Sequence, residues 1–107
     1  MTELTQATLE DFVQANRFAV VHFWASWNGY DVRMKNILAS EVPEELSRVV
    51  AIGRLDTERT EHHDLCRRYE IRNLPFLTFY REGLLVETLT GLRESVEIIG
   101  HLQRLVA

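Results

Sequence analysis

Seven residues, Phe18-Ala19-Val20-Val21-His22-Phe23-Trp24, form an almost unbroken apolar run whose one polar member is His22. A half-buried strand alternates apolar and polar residues, whereas a strand covered on both faces does not. The run therefore predicts a central strand of a parallel or mixed sheet with helices packed on each side. That constraint organises the rest of the chain.

Before the run, Leu9, Phe12 and Val13 share helical spacing, with Thr8 as the expected N-cap. After it, Met34, Ile37, Leu38 and Val42 trace one face of a second helix, which Pro43 should end or kink because proline removes a helical hydrogen bond. Val49–Leu55 reads as a second strand, 57–63 as a polar loop, and 64–69 as a short helix. Residues 76–80 read as a third strand. Arg81-Glu82-Gly83 makes a hairpin-type turn, and Leu85–Leu89 returns as a fourth strand. A closing helix from about Arg93 carries Val96, Ile99, Leu102, Leu105 and Val106 on one stripe. The order α-β-α-β-α-β-β-α predicts an α/β sandwich with a four- or five-stranded sheet.

At 107 residues the chain is expected to form a single domain over 1–107, with a core that needs no covalent staples. A net charge of −4 gives no electrostatic case for nucleic acid or an anionic membrane as partner. No apolar stretch reaches the length of a membrane span. Met1–Gln6 has neither a basic segment nor an apolar run of the secretory kind, so a cytoplasmic location is expected. With Cys66 as the sole cysteine, an intramolecular disulfide is impossible.

Several segments together resemble the thioredoxin family over nearly the whole chain. Phe23-Trp24-Ala25-Ser26-Trp27 is similar to the family's approach to its active site, and Gly29 stands where the C-G-P-C motif has its glycine. Tyr69-Glu70-Ile71-Arg72-Asn73-Leu74-Pro75 is similar to the segment that ends in the family's cis-proline, and Gly91 falls beside its substrate groove. The resemblance implies a thioredoxin fold, an α/β structure whose mixed sheet has helices on both faces. It also implies a cis Leu74–Pro75 bond. The implied groove for an extended peptide comprises Trp27, Gly29, Tyr30, Leu74, Pro75, Phe76 and Gly91.

The departures bear on activity. Asn28 and Asp31 occupy the positions of the two active-site cysteines, and Tyr30 replaces the proline between them. Dithiol–disulfide exchange needs a thiolate to attack and a second thiol to resolve the mixed disulfide, and neither an amide nor a carboxylate can serve. Such an enzyme activity is therefore not expected. His22 stands where the family has a buried aspartate, and Arg54 near a lysine that neighbours it. By that analogy His22, Asp31 and Arg54 form a buried polar group, with His22 in direct or one-water reach of the Asp31 carboxylate and Arg54 as competitor for its charge. A charged pair there would raise the His22 pKa.

Asn28 and Asp31 also have a purely structural explanation, because Asn is a strong N-cap and a carboxylate three residues later can close a capping box. His62, His63, Asp64 and Cys66 make the only cluster of metal-capable residues, and no second Cys or His pair is spaced to complete a zinc site. Neither metal nor cofactor is expected. The resemblance points Cys66 towards the core. The leading expectation is a redox-inactive protein-binding, chaperone-like or scaffold domain with a protein or peptide partner. The alternatives are a thiol-dependent enzyme or redox sensor built on Cys66, acid–base chemistry at His22 and Asp31, or a vestigial groove on a domain that only oligomerises.

Overall fold

The computed structural model describes residues 1–107. Strand β1 (Thr2–Leu4) opens the chain, followed by α1 (Gln6–Ala15), β2 (Phe18–Trp24) and α2 (Gly29–Asn36). A π-helical turn (Ile37–Glu41) and α3 (Glu44–Ser47) lead to β3 (Val50–Asp56), then a 3₁₀ turn (Thr60–His62) and α4 (His63–Arg68). Strands β4 (Phe76–Arg81) and β5 (Leu84–Thr90) precede the closing α5 (Ser95–Val106). The five strands are ordered β1-β3-β2-β4-β5. β2 runs parallel to β3 and antiparallel to β4, so it is the central strand that its apolar run requires.

Successive residues of β2 feed two cores. Phe18 and Val20 pack with Met34, Ile37, Leu38, Ile98 and Leu102 from α2, the π-helical turn and α5. Ala19, Val21 and Phe23 face the other way, onto Leu9 and Val13 of α1 and Leu65 of α4. Burying both faces is what makes the strand apolar throughout, and each core closes one side of the sheet.

Three local features differ from those the sequence predicts. The strand β1 is invisible in the sequence, since Thr2-Glu3-Leu4 is too short to show a period; its pairing with Gly53–Leu55 is what makes it a strand. Thr5, not Thr8, caps α1, and Thr8 occupies the third helical position, where its hydroxyl accepts from the Thr5 N–H at 2.9 Å. The polar loop after β3 contains the 3₁₀ turn, and α4 begins at His63. The Pro43 stop is present: Val42 is extended (φ −81°, ψ 127°), as a residue before proline must be to avoid the ring. Glu82 (φ 52°) and Gly83 (φ 81°) both take left-handed backbone, the signature of a two-residue type I′ hairpin.

Candidate functional site

The parallel β2–β3 pairing brings the C-terminal end of β2 beside the start of the segment after β3, and the chain turns there through Ala25–Asn28 into α2. Thr57 anchors this corner, both its N–H and its hydroxyl donating to the Trp24 carbonyl at 2.9 Å. Glu58 clamps the next residue by accepting from the Ser26 N–H at 2.5 Å and the Ser26 hydroxyl at 2.7 Å. The same bonds hold the Glu58 pKa below its ordinary value. A short loop before β4 faces this corner, and the Leu74–Pro75 peptide within it is cis.

Between these loops lies an open cleft of about 790 Å³. One wall is Trp27–Tyr30 and the other Ile71–Leu74, with Thr57 and Cys66 completing the lining. Trp27 is 73% exposed and Tyr30 is 63% exposed, so two aromatic rings stand largely in solvent.

Asn28 is the N-cap of α2. Its Oδ1 accepts from the Tyr30 N–H at 2.9 Å, satisfying one of the first-turn donors that a helix leaves unpaired. Its Nδ2 donates to the Leu74 carbonyl at 3.2 Å and so ties the two walls of the cleft together. A cysteine at position 28 could make neither bond in this way.

Asp31 is 2% exposed and does not close a capping box with Asn28 as expected. Its carboxylate turns inward: Oδ1 lies 2.9 Å from His22 Nε2, and Oδ2 accepts from the Ala25 N–H at 3.0 Å. The direct contact with His22 matches the expected geometry, but the raised pKa expected of a charged pair does not follow. Burial pushes the His22 pKa below its ordinary value, and the bond to Asp31 only partly opposes it. The ring's other nitrogen supports the same conclusion. Nδ1 is buried without a partner, so protonating it would leave a charged donor unsatisfied in the core. The neutral tautomer with hydrogen on Nε2 donates to Asp31 and leaves Nδ1 as a bare acceptor.

Arg54 sits opposite His22 in the sheet register but does not compete for Asp31. Its guanidinium pairs with Glu3 at 3.0 Å and stacks over the Trp24 ring at 4.5 Å. The β1 strand missed in the sequence supplies that carboxylate.

The expected groove is thus divided. Trp27, Gly29, Tyr30 and Leu74 line the cleft. Pro75 and Phe76 are buried and outside it, and the Phe76 ring packs against Phe23 with centroids 6.0 Å apart. Phe76 is a core residue because it lies in β4 on the face covered by α1 and α4. Gly91 (φ 90°) also lies outside the cleft; its N–H donates to the Pro75 carbonyl at 2.8 Å, and its backbone angle is one that side chains disfavour.

Cys66 does not point wholly into the core. It is half-buried on the cleft lining, where burial raises its pKa. A thiol so placed is a poor nucleophile at neutral pH. His62 is buried, with Nδ1 donating to the Asp56 carbonyl at 2.6 Å, while His63 and Asp64 are exposed. No three metal-capable side chains converge anywhere in the chain.

The lining residues that the sequence analysis did not single out are Thr57, Ile71, Arg72 and Asn73. Their signal was weak but present: three of them lie between the end of α4 and the start of β4, in the segment that carries the family motif.

A family model for thioredoxin matches residues 1–104. The chain is 31% identical over 101 residues to "Protein disulfide isomerase-like 1-3" of Arabidopsis thaliana, covering 94% of this chain and 17% of that protein. It is 30% identical over 89 residues to "Thioredoxin 1" of Synechococcus elongatus, covering 82% of this chain and 80% of the relative. The chain spans only 17% of the length of the first curated relatives it matches, which include "Monothiol glutaredoxin-S17" of Arabidopsis thaliana. In three dimensions it is similar to the thioredoxin of Plasmodium falciparum, with a TM-score of 0.83 at 19% identity over 97% of this chain and 98% of that one. A thioredoxin of Halobacterium salinarum gives a TM-score of 0.84 at 21% identity, over 99% of this chain and 90% of the other. With Asn28 and Asp31 at the motif positions and Cys66 as its single cysteine, the chain belongs to the thioredoxin family and lacks that family's cysteine pair.

Proposed function

We propose that this chain is a redox-inactive thioredoxin-like domain that binds a protein segment, as a chaperone-like or scaffold module, in the cleft beside Asn28. The observation that carries this reading is the contrast within the site. The positions that would hold sulfur instead brace the fold, Asn28 as cap and tether and Asp31 buried on His22, while Trp27 and Tyr30 remain exposed on an open cleft. Exposed aromatic rings beside a concave surface are the usual anchors of protein recognition. The reading needs no cofactor and suits a cytoplasmic setting, where the lone thiol stays reduced.

Two measurements test it. Reduction of a disulfide substrate by dithiothreitol should run no faster with the protein than without it. Affinity capture by the wild type and by a Trp27→Ala, Tyr30→Ala double variant should differ in the partner recovered. Identical recovery would move the interface away from the cleft.

Cys66 supports a second reading because it lines the same cleft. On that reading the domain is a slow thiol sensor or enzyme. Catalysis above background that disappears in Cys66→Ser would favour it over the binding role.

A further inference from the structure

We propose that the segment this cleft takes is acidic, an extended peptide with a carboxylate side chain next to an aliphatic one, and that Arg72 reads the carboxylate; the inference rests on the cleft-binding reading above. Arg72 is the one charged residue lining the cleft. It is exposed and enters none of the chain's ion pairs, although most of the other arginines are engaged in one. The backbone around it is free to pair with an extended segment. The N–H groups of Arg72, Asn73 and Leu74 donate to no backbone acceptor, and the carbonyls of Ile71, Arg72 and Asn73 accept from no backbone donor, while the Leu74 carbonyl is taken by Asn28. That wall offers both donors and acceptors, and the charge selection comes from the Arg72 side chain. On the opposite wall the Gly29 N–H, at the positive end of α2, also has no backbone acceptor.

The acidic groups of the neighbouring segments keep their charge but do not line the cleft. Glu58 is held by Ser26, and the Asp31 carboxylate turns away into the core towards His22 and Ala25. Glu70 is exposed but does not line the cleft. The net charge of −4 disfavours an anionic ligand at long range, but screening at physiological salt confines such effects to within about 8 Å, and Arg72 is the one charged side chain on the lining itself. The apolar part of the ligand has Trp27, Ile71 and Leu74 to cover it. A segment of alternating aliphatic and acidic residues matches both halves of this lining.

Three capped peptides test the inference, Gly-Leu-Glu-Leu-Gly and its counterparts with Gln or Lys at the centre. Each is titrated into the isotope-labelled full chain while backbone and indole NMR signals are followed. The expected result is that the Glu peptide shifts Trp27, Arg72 and Leu74 and binds about tenfold more tightly than the Lys peptide, with Gln between them. In Arg72→Glu, a surface substitution whose fold is checked by circular dichroism, the order should invert. Equal affinities for the three peptides at the cleft, or an unchanged order in the variant, would overturn the acidic selection and leave cleft binding standing. Shifts confined to another surface, or none with any peptide at millimolar concentration, would overturn cleft binding and this inference together.

Discussion

His22 Nε2 lies 2.9 Å from Asp31 Oδ1 in a pair that is almost completely buried and that ties the central strand to the first turn of α2. The helix N-terminus favours a carboxylate at this point, and the ring gives it a donor without adding a second buried charge. His22 has a folded pKa below its unfolded value, chiefly through burial. Between those two values the unfolded chain binds more protons than the folded one. The stability contributed by neutral His22 is therefore complete above about pH 6.5 and is lost as pH falls towards the folded pKa. Urea midpoints compared at pH 7.5 and pH 5 should show that loss. An NMR titration of the His22 ring should give a midpoint below the usual histidine value, and a midpoint above it would show that the pair is charged.

Substitution of Asn28 by Ala should cost about 1 kcal/mol from the lost cap alone. It should also free the Leu74 carbonyl, since the same side chain bridges to it. Amide hydrogen exchange should then quicken both at Tyr30 and across the loop before Pro75. Faster exchange at Tyr30 alone would mean that the tether to Leu74 contributes nothing.

Exposed and buried aromatic residues near the cleft should respond oppositely to truncation. Trp27→Ala and Tyr30→Ala should change unfolding free energy by no more than about 0.5 kcal/mol, as surface substitutions usually do. Phe76→Ala should cost about 3–5 kcal/mol, because it opens a hole against Phe23 in the core beneath α1 and α4. Denaturant midpoints on the three variants decide the matter, and a Phe76 cost near that of Trp27 would contradict its burial.

The Cys66 thiol should alkylate slowly. Burial raises its pKa above the ordinary value of 9.0, so little thiolate exists at neutral pH. Its reaction with iodoacetamide should be slower than that of an unstructured cysteine peptide at pH 7.5 and should keep rising through pH 9 without levelling. A plateau near neutrality would identify an activated thiol.

Gly53→Ala should destabilise the fold by about 1–3 kcal/mol through overpacking. A Cβ at Gly53 would lie 2.5 Å from Leu4 Cδ1 and 3.1 Å from Phe12 Cε2, both packed over β3. Thermal melts measure the effect, and an unchanged midpoint would mean that Leu4 moves aside freely.

The elements legible in the sequence are those whose causes are local. The unbroken apolar run announced β2 as the central strand, Pro43 marked the end of the helical run made by α2 and the π-helical turn, and Glu82-Gly83 marked the hairpin, because burial on both faces, a missing N–H and left-handed backbone act on residues next to one another. Family resemblance added the nearness of His22 to Asp31. Partners far apart in the chain depend on how the folded elements converge. Arg54 went to Glu3 because a three-residue edge strand too short to announce itself pairs with β3. Phe76 went inward because its place in β4 put it on the covered face, though the same residue type suited a groove equally well. Asn28 reached Leu74, and Arg72 came to line the cleft unpaired, because the β2–α2 turn and the loop before β4 converge at one end of the sheet. A residue's type limits the bonds it can make, but which of them form depends on what the rest of the fold brings within about 3 Å.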